Sequence, residues 1–383
     1  MTAYYLGAKR WKPAVLRDLV FLQRGFDITK AEQKDGEIPV ISSSGPTSWH
    51  NQAMVKGPGV VIGRKGSLGT VHYSEGDFWP HDTTLWSKSL NGNNPRFIYY
   101  ALKCLGLERF NVGGANPTLN RNHIHGLPIY LADRATQNDI VSILVTYDDL
   151  IENNRRRILM LEKAARLLYR EWFVHFRFPG HEHVRIIDAL PQGWDRPAAS
   201  VVMDILSGGT PKTGNAAFWD GNIGFFTPKD ATDTPYVLNT EKTITEEGLR
   251  ACTSKLYPTN TLFITARGTV GKLNLALIPM AMNQSCYALR AKAHFGQRYL
   301  YVALKAAIDQ VRSRATGAVF DAVIVATFDR IPFLVPPESL TRSFERSIDP
   351  MFDQIANLIH QNQKLAKARD LLLPRLMSGE IAV

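Results

Sequence analysis

The sequence predicts an α+β fold: two mixed α/β domains separated by two long helices packed as an antiparallel coiled coil, related by an internal pseudo-twofold repeat. Three observations carry that expectation. Two long stretches place apolar residues at steps of three and four, the spacing of one helical face. Strand-like runs broken by Gly, Asn and Pro precede each of them. A set of landmarks in the first half returns in the second half, in the same order and at nearly constant separation.

The first long stretch is Thr136 to Phe173. Its apolar face is Ile140, Ile143, Leu144, Tyr147, Leu150, Ile151, Ile158, Leu161, Ala165, Leu168 and Trp172. Thr136 with Asp139 reads as the start signal, because a hydroxyl can accept from the free N–H groups of the first turn. Acids come early (Asp139, Asp148, Asp149, Glu152) and bases later (Arg155, Arg156, Arg157, Arg166, Arg170), the order the helix dipole favours. A helix of that length would span roughly 57 Å. The second stretch is Met351 to Leu373, with Met351, Phe352, Ile355, Leu358, Ile359, Leu365, Leu372 and Leu373 on its face. Pro374 lacks a backbone donor and is expected to end or kink that helix. Asn154 and Asn362 fall where an apolar residue would continue each stripe. A buried Asn that fixes register and a solvent-facing Asn both fit the spacing.

Residues 11 to 133 read as one mixed domain. Its strand-like runs include Ile38–Ile41, Val60–Ile62, Thr83–Trp86 and Pro128–Leu131, with a helix around Arg96 to Leu105. Phe176 to Asp195 reads as a linker, with Pro179, Gly180, Pro191 and Gly193. The order then returns. Thr261-Leu262-Phe263-Ile264 precedes Arg267-Gly268-Thr269-Val270-Gly271, as Val60-Val61-Ile62 precedes Lys65-Gly66-Ser67-Leu68-Gly69. Phe97–Lys103 matches Tyr299–Lys305 at the same separation as the two pairs of glycines. Arg17-Asp18-Leu19 and Met203-Asp204-Ile205 lie closer together, so the second copy carries extra residues between Asp204 and Thr261. Two helices from a duplicated unit, joined through a folded domain, most simply pack antiparallel.

With 383 residues the chain has room for two to three domains, and 45% hydrophobic residues supply real cores. The formal net charge of +10 favours nucleic acid or an acidic surface as a partner. No apolar run approaches the ~18 residues of a membrane span, and Met1–Tyr5 lacks the basic and apolar pattern of a signal peptide. Cys104, Cys252 and Cys286 are far apart and lack metal spacing, which fits a reduced cytoplasm.

The [Lys/Arg]-Gly-[Ser/Thr]-x-Gly turn is the leading candidate for chemistry, because it occurs twice. Glycines let a backbone approach a ligand, and a cation beside a hydroxyl suits a phosphate. Lys65 with Ser67 and Arg267 with Thr269 are the equivalent pairs, flanked by Arg64 and Lys272. A tight hairpin built on its glycines is the other reading. The turn is not a P-loop, since the Gly-x-x-x-x-Gly-Lys-Ser spacing is absent. Ser43 and Trp49 in one loop region, and Lys212 and Lys229 in others, could read base edges or phosphates, or could be plain surface. His175, His181 and His183 lack a further ligand nearby and are not read as a metal site. Asn116-Pro117-Thr118-Leu119 shares half of the Asn-Pro-Pro-Tyr loop of adenine methyltransferases, but lacks the second Pro and the aromatic that stacks a flipped base. No nucleotide loop, nuclease carboxylate cluster or Ser/His/Asp set stands out, so the chain reads as non-catalytic.

Several stretches resemble the specificity (S) subunit of type I restriction–modification systems, the HsdS family. The ending Leu371-Leu372-Leu373-Pro374-Arg375-Leu376-Met377-Ser378-Gly379-Glu380-Ile381 is very similar to that family's ending. So are Leu190-Pro191-Gln192-Gly193-Trp194, Gly208-Gly209-Thr210-Pro211-Lys212, Phe218-Trp219-Asp220-Gly221-Asn222-Ile223, Thr227-Pro228-Lys229-Asp230 and Glu171-Trp172-Phe173-Val174. In the first half the main counterpart is Arg64–Gly69. Gln23-Arg24-Gly25-Phe26 stands where the Gly-Gly-Thr-Pro turn would be.

The resemblance implies a target recognition domain over residues 1–133 and a central conserved helical spacer over 134–180. A second target recognition domain would cover 181–340, and a C-terminal helical spacer 341–383. Two similar but unequal domains then imply a bipartite, asymmetric DNA site, and a spacer of roughly 57 Å bounds the separation of its halves at about 17 base pairs. The partners would be double-stranded DNA, methyltransferase (M) subunits (two per chain) and restriction (R) subunits, in the cytoplasm. The helix faces with Tyr147, Leu150, Leu161, Leu168, Trp172, Phe352, Ile355, Leu365 and Leu372 would supply the subunit interface. S-adenosylmethionine for DNA methylation and ATP with Mg would belong to those partners, with no cofactor in this chain. Rival readings are a stand-alone bipartite DNA-binding protein, an enzyme with an unrecognised site, and a protein scaffold without a nucleic-acid role.

Overall fold

The computed structural model describes residues 10–111, 117–292, 294–314 and 323–383. Met1–Tyr5 and Asn116, which entered the reading above, lie outside the described residues. The chain divides into two compact units: Met1–Ile151 with Lys364–Val383, and Glu152–Gln363.

The first unit holds β1 (Trp11–Val15), α1 (Leu16–Leu19), β2 (Phe21–Arg24), β3 (Ile38–Ser42), β4 (Gly45–His50) and β5 (Gly59–Gly63). It continues with β6 (Val71–Ser74), β7 (Trp79–Pro80), β8 (Thr84–Ser89), α2 (Pro95–Cys104), α3 (Arg121–Ile124) and β9 (Pro128–Ala132). Its four-stranded sheet has the order β2-β8-β5-β6, a smaller one has β4-β3-β7 with β3 and β7 parallel, and β1 pairs with β9 in a third, two-stranded sheet. β5 is buried along its whole length, which is why Gly59–Gly63 reads as a continuous apolar run rather than an alternating one. α2 begins at a cap written in the sequence: Asn94 Oδ1 accepts from the Arg96 and Phe97 amides, and Pro95 occupies the first turn.

α4 (Arg134–Tyr169) follows and carries on as a π-helical turn over Arg170–Val174. The helix starts before Thr136, correcting the expected cap. Asp133 Oδ1 accepts from the Thr136 amide at 2.8 Å, and a carboxylate just outside the first turn serves where the hydroxyl was expected. This amide also holds the Asp133 carboxyl below its ordinary range.

The second unit repeats the plan with β10 (Ile186–Ile187), β11 (Leu190–Pro191), α5 (Ala199–Val202), β12 (Met203–Ser207), β13 (Trp219–Phe226) and β14 (Tyr236–Val237). Then come β15 (Thr243–Ile244), α6 (Glu246–Arg250), β16 (Leu262–Thr265), β17 (Leu273–Ala276), β18 (Met280–Met282) and β19 (Cys286–Ala291). α7 (Gln297–Arg314), α8 (Val325–Asp329) and α9 (Glu338–Met377) close the chain. The larger sheet, β12-β19-β16-β17-β14, matches the first unit's strand for strand and adds β14 at one edge. The smaller sheet, β15-β13-β18, keeps the parallel pair, here β13 with β18. The extra residues fall between β13 and β16, where residues 227–261 stand against residues 43–58 of the first copy.

Two expectations are corrected here. Phe176–Asp195 is more than a linker: Phe178 and Trp194 are buried in the second unit's core, their rings 5.2 Å apart. α9 begins at Glu338, ahead of the expected start, and runs through both Pro350 and Pro374. Each proline removes one helical donor, but Phe344, Ile348, Leu373, Leu376 and Met377 are buried on either side, and that packing outweighs the lost bonds. The stop comes at Gly379, whose φ of +69° a residue with a side chain adopts at a cost.

Each unit holds one end of both long helices. In the first, Ile140 and Leu144 of α4 share a core with Leu373, Leu376 and Met377 of α9. In the second, Ile158, Ala165 and Tyr169 share one with Phe344, Ile348, Phe352, Ile355 and Leu358. Within the second unit Asn154 meets Asn362 and Tyr169 meets Phe344, so the partner's number falls as that of α4 rises. The helices therefore run antiparallel. The fold is α+β, with two mixed α/β units related by an internal repeat. Among the described residues no helix is long and apolar enough to cross a membrane.

Candidate nucleic-acid interface

The repeated turn takes the same backbone form in both units. Gly66 and Gly69 have φ of +74° and +72°; Gly268 and Gly271 have +77° and +79°. These are left-handed values that favour glycine, which accounts for the glycines at both positions in both copies. The hydrogen bonds match as well. Gly69 donates its amide to the Gly63 carbonyl at 2.9 Å, and Gly271 donates to that of Thr265 at 2.8 Å. At the base, the Gly63 amide bonds the Thr70 carbonyl and the Thr265 amide that of Lys272. The turn is thus a tight hairpin between β5 and β6, or β16 and β17, that leaves Lys65 and Ser67, or Arg267 and Thr269, exposed at its tip.

In each unit the loop after the central strand of the smaller sheet packs against this turn. In the first, the Ser43 carbonyl accepts from the Thr70 hydroxyl, and a side chain at Gly66 would lie 3.4 Å from Ser43 Oγ. In the second, Thr269 Oγ1 donates to the Pro228 carbonyl at 3.2 Å, beside Lys229. Ser43, Arg64, Lys65 and Ser67 are therefore gathered in one unit, and Lys229, Arg267, Thr269 and Lys272 in the other.

The named residues differ in what they have free. Ser43 is buried, so it braces the turn and offers little surface. Lys272 is tied to Asp233 at 2.8 Å. Lys229 is exposed, with Glu241 4.0 Å away. Lys212 is exposed, and its carbonyl takes a bond from Trp219 Nε1 at 3.3 Å, while Thr210 in the same loop bonds Gln284. Trp49 is 58% exposed on β4, a large ring open for stacking.

Arg64 is half-buried, and its Nη1 donates to the Asp82 carbonyl at 3.4 Å. It lines a cleft of about 550 Å³ with Gln23, Arg24, Thr118, Asn120 and Arg121. Arg24 and Arg121 carry no motif and are missed by reading the sequence locally. The signal that could have found Arg24 is the position just before the glycine the two copies share, where Arg24-Gly25 stands against Ser207-Gly208. Among the described residues one trio of potential metal ligands gathers, Asp27, His81 and Asp82. Asp82 is already paired with Arg24 at 2.9 Å and lies 3.2 Å from His81, and we assign no ion there.

The helix faces divide their apolar residues between core and surface. Phe352 and Ile355 are fully buried in the second unit's own core, which corrects their place in a subunit interface: a side chain already enclosed has no surface to offer. Leu161, Leu168 and Trp172 pack partly against that core, and Leu372 against the first unit's. Tyr147 and Leu365 are half-buried, while Leu150 is 45% exposed. Leu159, Met160, Leu167 and Leu371, outside the expected stripes, are exposed too.

The sequence model of the "Type I restriction modification DNA specificity domain" matches residues 8–163 and 191–364. The "Type I restriction enzyme MjaIX specificity subunit" of Methanocaldococcus jannaschii is 23% identical over 299 residues, covering 75% of this chain and 69% of that one. The "Type I restriction enzyme HindI specificity subunit" of Haemophilus influenzae is 22% identical over 331 residues, covering 70% and 72%. A crystal structure of the type I restriction–modification S subunit from M. genitalium superposes with a TM-score of 0.55 at 16% identity, covering 96% of both chains, and shares the fold. The chain belongs to the type I restriction modification DNA specificity domain family and carries that domain twice.

Proposed function

We propose that this chain selects the DNA sequence for a type I restriction–modification complex, each unit reading one half of a bipartite, asymmetric duplex site. The family makes it a specificity subunit without catalysis of its own. The observation that carries the bipartite reading is the duplication: one turn, in one backbone conformation, presents a cation and a hydroxyl in both units, on flanks that differ. Similar frames contact the phosphate backbone in similar ways, and different flanks choose different bases. The exposed Leu150 and Leu371, and separately Leu159, Met160 and Leu167, are the surface on which methyltransferase subunits, two per chain, would dock. Restriction subunits would join through them. In this reading S-adenosylmethionine and ATP with Mg are bound by those partners, in the cytoplasm.

Lys65→Ala and Arg267→Ala test the turn. Each removes one phosphate contact, so each lowers the slope of log affinity against log salt by about 1. Titrating duplex binding against salt reads this. Unaltered slopes in both variants would leave the turn as a hairpin and nothing more.

A further inference from the structure

We propose that the arginine cleft of the first unit clamps a backbone phosphate of the half-site that this unit reads, a contact with no counterpart in the second unit. The inference rests on the DNA reading above and names a site within it.

Three arginines, Arg24, Arg64 and Arg121, line one cleft of about 550 Å³. Among the described residues no Asp or Glu lines it. The carboxylate of Asp82 pairs with Arg24 at 2.9 Å and Asp27 stands beside Asp82, so three arginines face two acids and keep a surplus of positive charge. Burial, together with the nearby Arg24 charge, holds the Arg64 guanidinium below its ordinary basicity, so the cluster is both crowded and partly desolvated. A phosphate relieves that repulsion and accepts from several guanidinium forks at once. Gln23, Thr118 and Asn120 add polar groups to the wall.

The repeat shows that the cluster is not a by-product of the frame. The Arg64 amide donates to the Thr83 carbonyl at 2.8 Å, and the Arg64 carbonyl accepts from Leu119 at 2.9 Å. In the second unit Ala266 makes the same two bonds, with Ser285 at 2.8 Å and Val323 at 3.0 Å. Ala266 therefore stands for Arg64, and Val325, two residues past Val323, stands for Arg121. A side chain at Gly25 would meet the Pro80 and His81 carbonyls, and one at Gly208 the Met282 and Asn283 carbonyls. Ser207 therefore stands for Arg24. The same three positions are arginines in one copy, and serine, alanine and valine in the other. The fold does not require the charge: Asp82, where Gln284 stands in the second copy, answers Arg24, while Arg64 and Arg121 have no carboxylate partner among the described residues.

The test uses the full-length chain and variants Arg24→Ala and Arg121→Ala, each checked for an unchanged melting temperature, with Arg24→Lys and Arg121→Lys as charge-preserving controls. Binding to a random-sequence duplex is titrated against salt, and preferred sites are selected from a randomised duplex library. The expected result is a salt slope lower by about 1 in each alanine variant, restored in the lysine variants, with the same sequence selected in both half-sites. Unchanged slopes beside a wild type that binds duplex would overturn the cleft alone. A changed base preference in one half-site would make these arginines base readers and overturn the phosphate assignment. Stabilisation by inorganic phosphate with unchanged DNA slopes would assign the cleft to a small free anion. A wild type that shows no salt-dependent duplex binding would overturn the DNA reading, and this inference with it.

Discussion

Glu162 shows how much one residue can hold. It is 5% exposed on α4, and its Oε1 accepts from the Tyr301 hydroxyl at 2.7 Å and pairs with the Lys305 ammonium. Both partners sit on α7, so a single carboxylate ties that helix to α4. Glu162→Ala takes the carboxylate away from a largely buried ammonium and a buried hydroxyl and is expected to cost about 2–4 kcal/mol. Glu162→Gln keeps an acceptor and should cost less. Urea unfolding of the two variants measures both. Tyr169, Tyr299 and Tyr301 of the same unit are held above the ordinary tyrosine range, chiefly by burial. The folded state keeps these protons where the unfolded chain releases them, so stability is intact below pH ~10 and falls as pH rises beyond it. A urea midpoint that falls between pH 8 and pH 11, and falls less in Tyr299→Phe, would agree with this; a flat midpoint would contradict it. At this scale the sequence was legible for the turn glycines, since a repeated Gly-x-x-Gly marks a repeated backbone. The cleft was not, because Arg24, Arg64 and Arg121 are distant in the chain and meet only once β2, β5 and α3 are in place.

Among the elements, α4 and α9 were the most legible, because a sustained apolar stripe has one simple explanation. Their ends were less so. Pro350 lacks a helical donor, yet Phe344 and Ile348 before it are fully buried and carry the helix through. The Asn pair was open in the sequence and is settled in the structure: Asn154 is 6% exposed and donates from Nδ2 to Asn362 Oδ1 at 2.9 Å. A polar pair in an apolar seam fixes register at a cost in stability. Asn154→Leu alone faces an amide and should destabilise by about 1–2 kcal/mol. Asn154→Leu with Asn362→Leu should recover that loss or exceed wild type. A double variant less stable than either single one, measured by urea midpoint, would contradict the register role.

For the whole molecule, the repeat carried the most information. Matched glycines and a matched helix predicted two units of one design, and both sheets recur with the same strand order. What the sequence concealed was how the copies differ. The longer segment 227–261 supplies β14, α6 and the loop bearing Lys229, and the first copy answers with an arginine cleft. Two frames alike in their hairpins and unlike in their flanks are what an asymmetric bipartite site requires.

The measurement that tests this most directly is to co-express the chain with its candidate methyltransferase subunit and map N6-methyladenine across the host genome. The account predicts one split motif with two unlike halves, present with this chain and absent without it. Methylation at the same sites whether or not the chain is present would contradict it.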